Sequence, residues 1–155
     1  MKRESFFLIF VASGVFPVAL TYGVNPQVTL AYLYDIEVNN VNLSNIFRAI
    51  MGLYIALNIF WVIGAFKNTL LLPAMWSLTI FMTGIGLGRL LSIIIDGTPY
   101  SAFILYMILE FVFAILSKLS LKGLAPEGWG RSGHPVGVPS KKLFPSPKQQ
   151  KNSII

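Results

Sequence analysis

The sequence contains no cysteine and only one histidine, His134. The lack of cysteine excludes disulfides, thiolate metal sites and cysteine nucleophiles. His134 lies in a polar C-terminal segment, far from the apolar part of the chain. Paired-histidine haem ligation and histidine-bound metal are therefore excluded from the apolar part.

Charge is also scarce: 12% of the 155 residues are charged and 55% are hydrophobic. A soluble domain is usually about a quarter charged, so this composition indicates a protein whose solvent is lipid. The net charge of +6 lies in short connections and in the C-terminal segment. Nucleic acid is therefore not a predicted partner.

Four apolar runs are each close to the roughly 20 residues that a helix needs to cross a bilayer. The runs predict helices at about 5–24, 45–66, 73–95 and 100–121, which form an all-α four-helix transmembrane bundle over residues 1–122. Ser44 or Asn45 is the predicted N-cap of the second helix, and Pro73 the predicted first turn of the third.

Two assignments in this scheme leave alternatives open. The first run is longer than the apolar part of a usual secretory signal peptide and lacks a cleavage site, so a transmembrane helix is the favoured prediction. Residues 25–45 are predicted as a loop that dips its aromatic side chains among lipid headgroups, with a short interfacial helix or strand as the alternative.

The charges of the connections predict an orientation. Lysine and arginine favour the cytoplasmic side of a membrane. Basic residues occur before the first run, between the second and third, and after the fourth, namely Lys2, Arg3, Lys67, Lys118 and Lys122. Both termini are thus predicted to be cytoplasmic, in a bacterial inner membrane or an equivalent organelle membrane.

Four charged residues are predicted to form a polar cluster inside the membrane: Arg48, Arg89, Asp96 and Glu110. Charged groups at this depth are costly and are expected to pair with one another. Glu110 or Asp96 is the predicted partner of Arg89. The cluster is interpreted either as a structural lock or as a water-accessible cavity for an anionic or zwitterionic molecule, or for protons. An enzyme is not predicted, because no pattern for activating a nucleophile is present.

Small residues recur every four positions in the third run, at Gly84, Gly88 and Ser92. This spacing is typical of close helix packing in membranes. A ligand groove lined by backbone is the alternative interpretation.

Residues 123–155 are rich in proline, glycine, serine and lysine, which predicts a long irregular cytoplasmic C-terminal tail. Trp129, Leu143 and Phe144 are the predicted anchors for a protein partner. The alternative is that the lysines of the tail lie on anionic lipid headgroups.

Two segments carry a resemblance to a known family: "NIFRAIMGLYIAL" at 45–57 and "FMTGIGLGRLLSIIIDGTP" at 81–99, followed by Glu110. The chain resembles a family of small four-helix bacterial membrane proteins catalogued as a domain of unknown function (DUF4345-like). The resemblance implies a four-helix architecture and no particular activity. It also implies a set of signature residues, which are Arg48, Gly52, Tyr54, Arg89, Ser92, Asp96 and Glu110.

These features predict a non-catalytic accessory or assembly subunit of a larger membrane protein complex. The alternative is a small transporter or binding protein for an anionic or zwitterionic metabolite. The lipid bilayer and other membrane subunits are the expected partners. No cofactor is identifiable from the sequence, although a bound lipid or pigment is compatible with it.

Overall fold

The computed structural model describes residues 2–124, apart from the side chains of residues 122 and 123. This part of the chain is all-α and contains five helices: α1 (Arg3–Gly23), α2 (Pro26–Tyr34), α3 (Val41–Phe66), α4 (Asn68–Asp96) and α5 (Ser101–Leu124). The predicted tail anchors Trp129, Leu143 and Phe144 lie outside the described residues.

Helices α1, α3, α4 and α5 are each long and apolar enough to cross a membrane. They are the four predicted spans, and the protein is an integral membrane protein. Each spans at least 21 residues, so each covers about 30 Å or more along its axis.

The starts of α3 and α4 differ from the prediction. Helix α3 begins at Val41, because the Asn40 side chain caps it by accepting a hydrogen bond from the Leu43 amide at 2.9 Å. Helix α4 begins at Asn68, and Pro73 lies inside it. The loss of one backbone N–H at Pro73 is tolerated one turn after the helix start, where few intrahelical bonds have yet formed.

The connection between α1 and α3 contains a helix where a loop was the favoured prediction. Pro26 opens α2, and Asp35 ends it in the left-handed conformation at φ 57°. Leu30 and Tyr34 are buried at 0% and 4% exposure, so α2 places apolar side chains over one end of the bundle. We call this the α2 end, and the opposite end the Lys67 end.

The long helices pack in the order α1, α3, α4, α5, with α3 against α1 and α4, and α4 against α5. Helices α1 and α5 are thus the two edges of the arrangement, and within the described residues they do not pack along their length. They meet near the Lys67 end, where the rings of Phe7 and Phe10 lie 6.4 and 6.3 Å from that of Phe113.

The core near the Lys67 end is apolar and contains a few paired hydroxyl groups. Trp61 is fully buried and donates from its indole nitrogen to the Ser77 hydroxyl at 3.0 Å. Thr79 donates to Ser117 at 2.8 Å, which ties α4 to α5. The buried indole of Trp61 and the buried hydroxyls of Thr79 and Ser117 therefore have partners, as an apolar surrounding requires.

Candidate functional site

Arg89 of α4 and Glu110 of α5 form an ion pair inside the bundle. The Nε–H of Arg89 donates to both carboxylate oxygens of Glu110, at 2.9 Å to Oε1 and 3.1 Å to Oε2. The two side chains are 18% and 11% exposed. Helices α4 and α5 run antiparallel. Arg89 lies seven residues before the end of α4 and Glu110 nine residues after the start of α5, so the two residues lie at similar depth.

The guanidinium group of Arg89 is surrounded by aromatic rings. Its Cζ lies 5.3 Å from the ring centre of Phe103 and 5.8 Å from that of Tyr106. Rings at these distances stabilise a cation through their negative faces. The hydroxyl groups of Tyr22 and Tyr54 also lie close enough to the guanidinium to interact with it.

The pairing leaves part of the guanidinium uncommitted. Arginine has five N–H donors, and in this pair only the Nε–H is used. Within residues 2–124, the two terminal amino groups make no hydrogen bond of accepted geometry. These amino groups are not fully buried either. Within residues 2–124, Oδ1 of Asn58 is the one side-chain nitrogen or oxygen atom that is both fully buried and without a partner.

A cavity of about 240 Å³ adjoins the ion pair. Tyr54, Arg89, Tyr106 and Glu110 supply its polar groups. The other lining side chains are apolar or glycine, and they come from α1, α4 and α5: Gly14, Val15, Val18, Phe81, Met82, Ile85, Leu109 and Phe113. The result is a mainly apolar space with one concentrated polar region, which is the usual composition of a small-molecule site.

A second cavity of about 620 Å³ lies nearer the α2 end and shares Val18 and Tyr106 with the first. Between them, the Tyr34 hydroxyl is 3.2 Å from that of Tyr106 and 3.1 Å from that of Thr21. These hydrogen-bonded side chains join α1, α2 and α5.

The structure does not assemble the predicted cluster of four charges. Asp96 is exposed and accepts a hydrogen bond from the Ser92 hydroxyl at 2.8 Å. It follows Arg89 by about 10 Å along the helix axis, too far for contact with a side chain that turns toward α5.

Arg48 lies apart from Arg89, in an exposed groove with Gln27, Asn40 and Ser44. Its neighbour Phe47 stacks on Tyr22, which directs Arg48 to the outside.

The predicted packing stripe on α4 is also corrected. Within residues 2–124, a Cβ atom added at Gly84 or Gly88 would meet nothing within 4 Å, so neither glycine lies in a contact between the described helices. Ser92 is exposed on the same side. The close approach occurs instead at Gly86, where a Cβ would lie 3.1 Å from the ring of Phe111. Gly86 is rotated by about 160° from Gly88 on the helix, which explains how one glycine packs and the other does not.

Apart from Tyr54, which the family resemblance named, sequence analysis did not identify the aromatic residues around Arg89. Tyr22 stacks on Tyr34 and Phe47 and contacts Tyr54 at a tilt, with ring centres 5.9 to 6.3 Å apart. A cation is stabilised by aromatic rings, so rings at the depth of Arg89 were the available signal.

The arrangement places directed hydrogen-bond donors beside an apolar space. Within residues 2–124, no group of three or more histidine, cysteine, aspartate or glutamate side chains is placed to hold a metal ion. The uncommitted N–H groups of Arg89 are directed donors for an oxygen atom, and the apolar walls suit a hydrocarbon body.

Comparison with known proteins gives one match. A search of curated proteins and a search of solved structures each found none. A family model described as a domain of unknown function (DUF4345) matches residues 4–121, which include the four long helices up to Leu121 and both members of the ion pair. The chain belongs to the DUF4345 family, whose shared domain has no known function.

Proposed function

We propose that the protein binds a small amphipathic molecule inside the membrane, with the polar group of the ligand on Arg89 and its apolar part in the adjoining cavity. The observation that carries the proposal is the pairing of Arg89 with Glu110 through Nε alone, which leaves the terminal amino groups beside a cavity of about 240 Å³. An apolar cavity of about 150 Å³ is enough to hold benzene. The role is binding, carriage or transport, without a catalytic step.

The charge of the site narrows the class of ligand. Arg89 and Glu110 carry opposite formal charges at 2.9 Å, so the pair is close to neutral as a unit. A fully anionic ligand would have to leave water for a site with no net positive charge, which is costly. A neutral oxygen acceptor or a zwitterion avoids this cost. Of the two predicted kinds of ligand, a zwitterionic molecule is therefore favoured over an anionic one.

Native mass spectrometry of the purified protein, released from mild detergent, tests this proposal. We expect a bound small molecule on the wild-type chain that is absent from Arg89→Gln. Ile85→Trp, which fills the cavity while keeping both charges, is expected to remove it as well. Arg48→Gln is the matched control, because Arg48 is exposed in a separate groove. No adduct on the wild-type chain, or equal adducts on all variants, contradicts the proposal.

The role of accessory subunit is a second proposal, and a specific observation favours it. Gly84, Gly88 and Ser92 form a stripe that faces away from the other helices of the chain, and a Cβ at either glycine would meet open space. Such a stripe allows a helix of another protein to approach closely. Purification in a gentle detergent is expected to recover the wild-type chain with a larger partner, and Gly88→Leu without it. Recovery of both as single chains contradicts this role.

A cytoplasmic location of both termini is part of the proposal. The chain has no cysteine, so one introduced cysteine reports one position. In intact cells, a membrane-impermeant maleimide is expected to label a cysteine at Asp35 and to leave one at Lys2 or Lys67 unlabelled. Labelling at Lys2 or Lys67 but not at Asp35 would mean the opposite orientation.

A further inference from the structure

We infer that the ligand of the Arg89 site is a zwitterionic membrane lipid that enters sideways from the bilayer, through the gap between α1 and α5. This inference rests on the proposed function for the contact with Arg89. It adds the class of ligand, the orientation of the ligand and the entry route.

The gap follows from the helix order. Helices α1 and α5 are the edges of the bundle and meet near the Lys67 end, where Phe7 and Phe10 contact Phe113. Toward the α2 end, the cavity beside Arg89 occupies the space between them, with Val15 and Val18 on one side and Leu109 on the other. This side of the bundle lies within membrane-spanning segments, so it faces lipid.

Gly14 provides the opening. It lines the cavity, it is exposed, and a Cβ atom built on it would meet nothing within 4 Å. No side chain of α1 therefore covers the cavity at this point. At the α2 end, by contrast, Thr21, Tyr34 and Tyr106 are linked by hydrogen bonds that tie α1, α2 and α5 together.

The depth of Arg89 matches the polar–apolar boundary of a lipid. Helix α4 has 29 residues, which span about 43 Å, close to the 40–45 Å of a whole bilayer with its headgroups. A hydrocarbon core of about 30 Å then starts roughly 7 Å from each helix end. Arg89 lies about 10 Å from the α2 end of α4, so its amino groups reach the level where ester carbonyl oxygens of phospholipids lie.

The polarity along the cavity has the same direction as a lipid molecule. Phe81, Met82 and Phe113, which line the cavity on the mid-membrane side of Arg89, are apolar, and Tyr54 contacts Phe81 there through its ring. An ester carbonyl bound at Arg89 would direct its acyl chain into this apolar part. The near-neutral ion pair accepts a carbonyl oxygen without requiring an anionic head, which favours a zwitterionic lipid.

Photo-crosslinking tests the inference on the full chain in vesicles of phosphatidylcholine that contain a small fraction of phosphatidylcholine with a diazirine on its acyl chain. Peptide mapping after illumination is expected to show saturable crosslinks to Val15, Val18 and Leu109. Gly14→Phe closes the opening and is expected to reduce these crosslinks at least fivefold. Gly52→Phe is the matched control, because Gly52 is also exposed, is surrounded by open space and lies outside the cavity.

The outcomes separate this inference from the proposed function. Crosslinks that are spread evenly over all lipid-facing helix surfaces and do not respond to Gly14→Phe overturn the lateral route. Crosslinks that respond to Gly14→Phe but not to Arg89→Gln support the route and overturn the contact with Arg89. A bound adduct that depends on Arg89 in mass spectrometry, together with no effect of Gly14→Phe, leaves the Arg89 site standing and overturns the lipid and its entry path.

Discussion

Removal of Glu110 alone is expected to destabilise the protein more than removal of the whole ion pair. Glu110→Leu leaves a guanidinium that is 18% exposed without its carboxylate, whereas Arg89→Leu with Glu110→Leu leaves no charge. Breaking a buried pair by deleting one partner costs about 3–5 kcal/mol, while replacement of both by apolar residues is often neutral. We expect the lower end for Glu110→Leu, since Phe103 and Tyr106 still stabilise the cation by about 0.5–2 kcal/mol.

The double-mutant cycle gives the size of the interaction. The single change Arg89→Leu strands the Glu110 carboxylate and is expected to cost about as much as Glu110→Leu. The double variant should lose less than either single variant, so the coupling free energy should be at least about 3 kcal/mol. A value this large is outside the range of about 0.2–1 kcal/mol for exposed pairs.

The assay is reversible unfolding of the purified chain in mixed micelles, with helix content followed by circular dichroism as the denaturing detergent increases. Asp96→Asn is the control, because Asp96 is exposed and bonded to Ser92 alone. Its free energy of unfolding is expected to change by no more than about 0.5 kcal/mol. If the losses of the two single variants simply add in the double variant, the side chains are not paired in the folded protein and the site as described does not exist.

Three further changes test the packing that holds the site. Ser77→Ala leaves the buried indole N–H of Trp61 unpaired and should lower the free energy of unfolding by about 1–3 kcal/mol, with a change in tryptophan fluorescence. Gly64→Val places a side chain against Ala74 of α4 and should prevent recovery of folded protein, whereas Gly52→Val points into open space and should be recovered at the wild-type level. Asn40→Ala removes the cap of α3 and should cost about 1 kcal/mol in chemical denaturation.

The four long helices were predictable because one requirement dominates in a bilayer. Every backbone polar group in hydrocarbon must be paired within the segment, so an apolar run of sufficient length becomes a helix. The ends were less predictable. Asn40 and Asn45 are both good N-caps, and the choice depends on which side chains α2 and the start of α3 bury together. The nine residues of α2 have no clear apolar face, so their helical form depends on contacts with the rest of the bundle.

The depth of the site residues in the membrane was predictable from the sequence, but the rotation of each helix about its own axis was not. Arg89 and Glu110 lie at similar depth by residue count alone, and the structure places them in contact. In a soluble helix, the polar face shows which side is outward. In a membrane helix, lipid and protein core are both apolar, so the sequence does not show which side of α4 turns inward. This is the reason that Asp96 was predicted in the interior cluster although it is exposed.

The geometry of the ion pair bears on its two interpretations, as a structural lock and as part of a binding site. A side chain selected only to lock two helices would be expected to use the paired terminal donors of arginine, since two parallel N–H···O bonds give the strongest and most directional contact with a carboxylate. Arg89 instead shares its single Nε–H between both oxygens of Glu110. Its amino groups are left beside the cavity, within an aromatic setting that keeps the cation in place. The pair fixes α4 to α5, and the position of the amino groups beside the cavity is the geometric ground for the proposed ligand site.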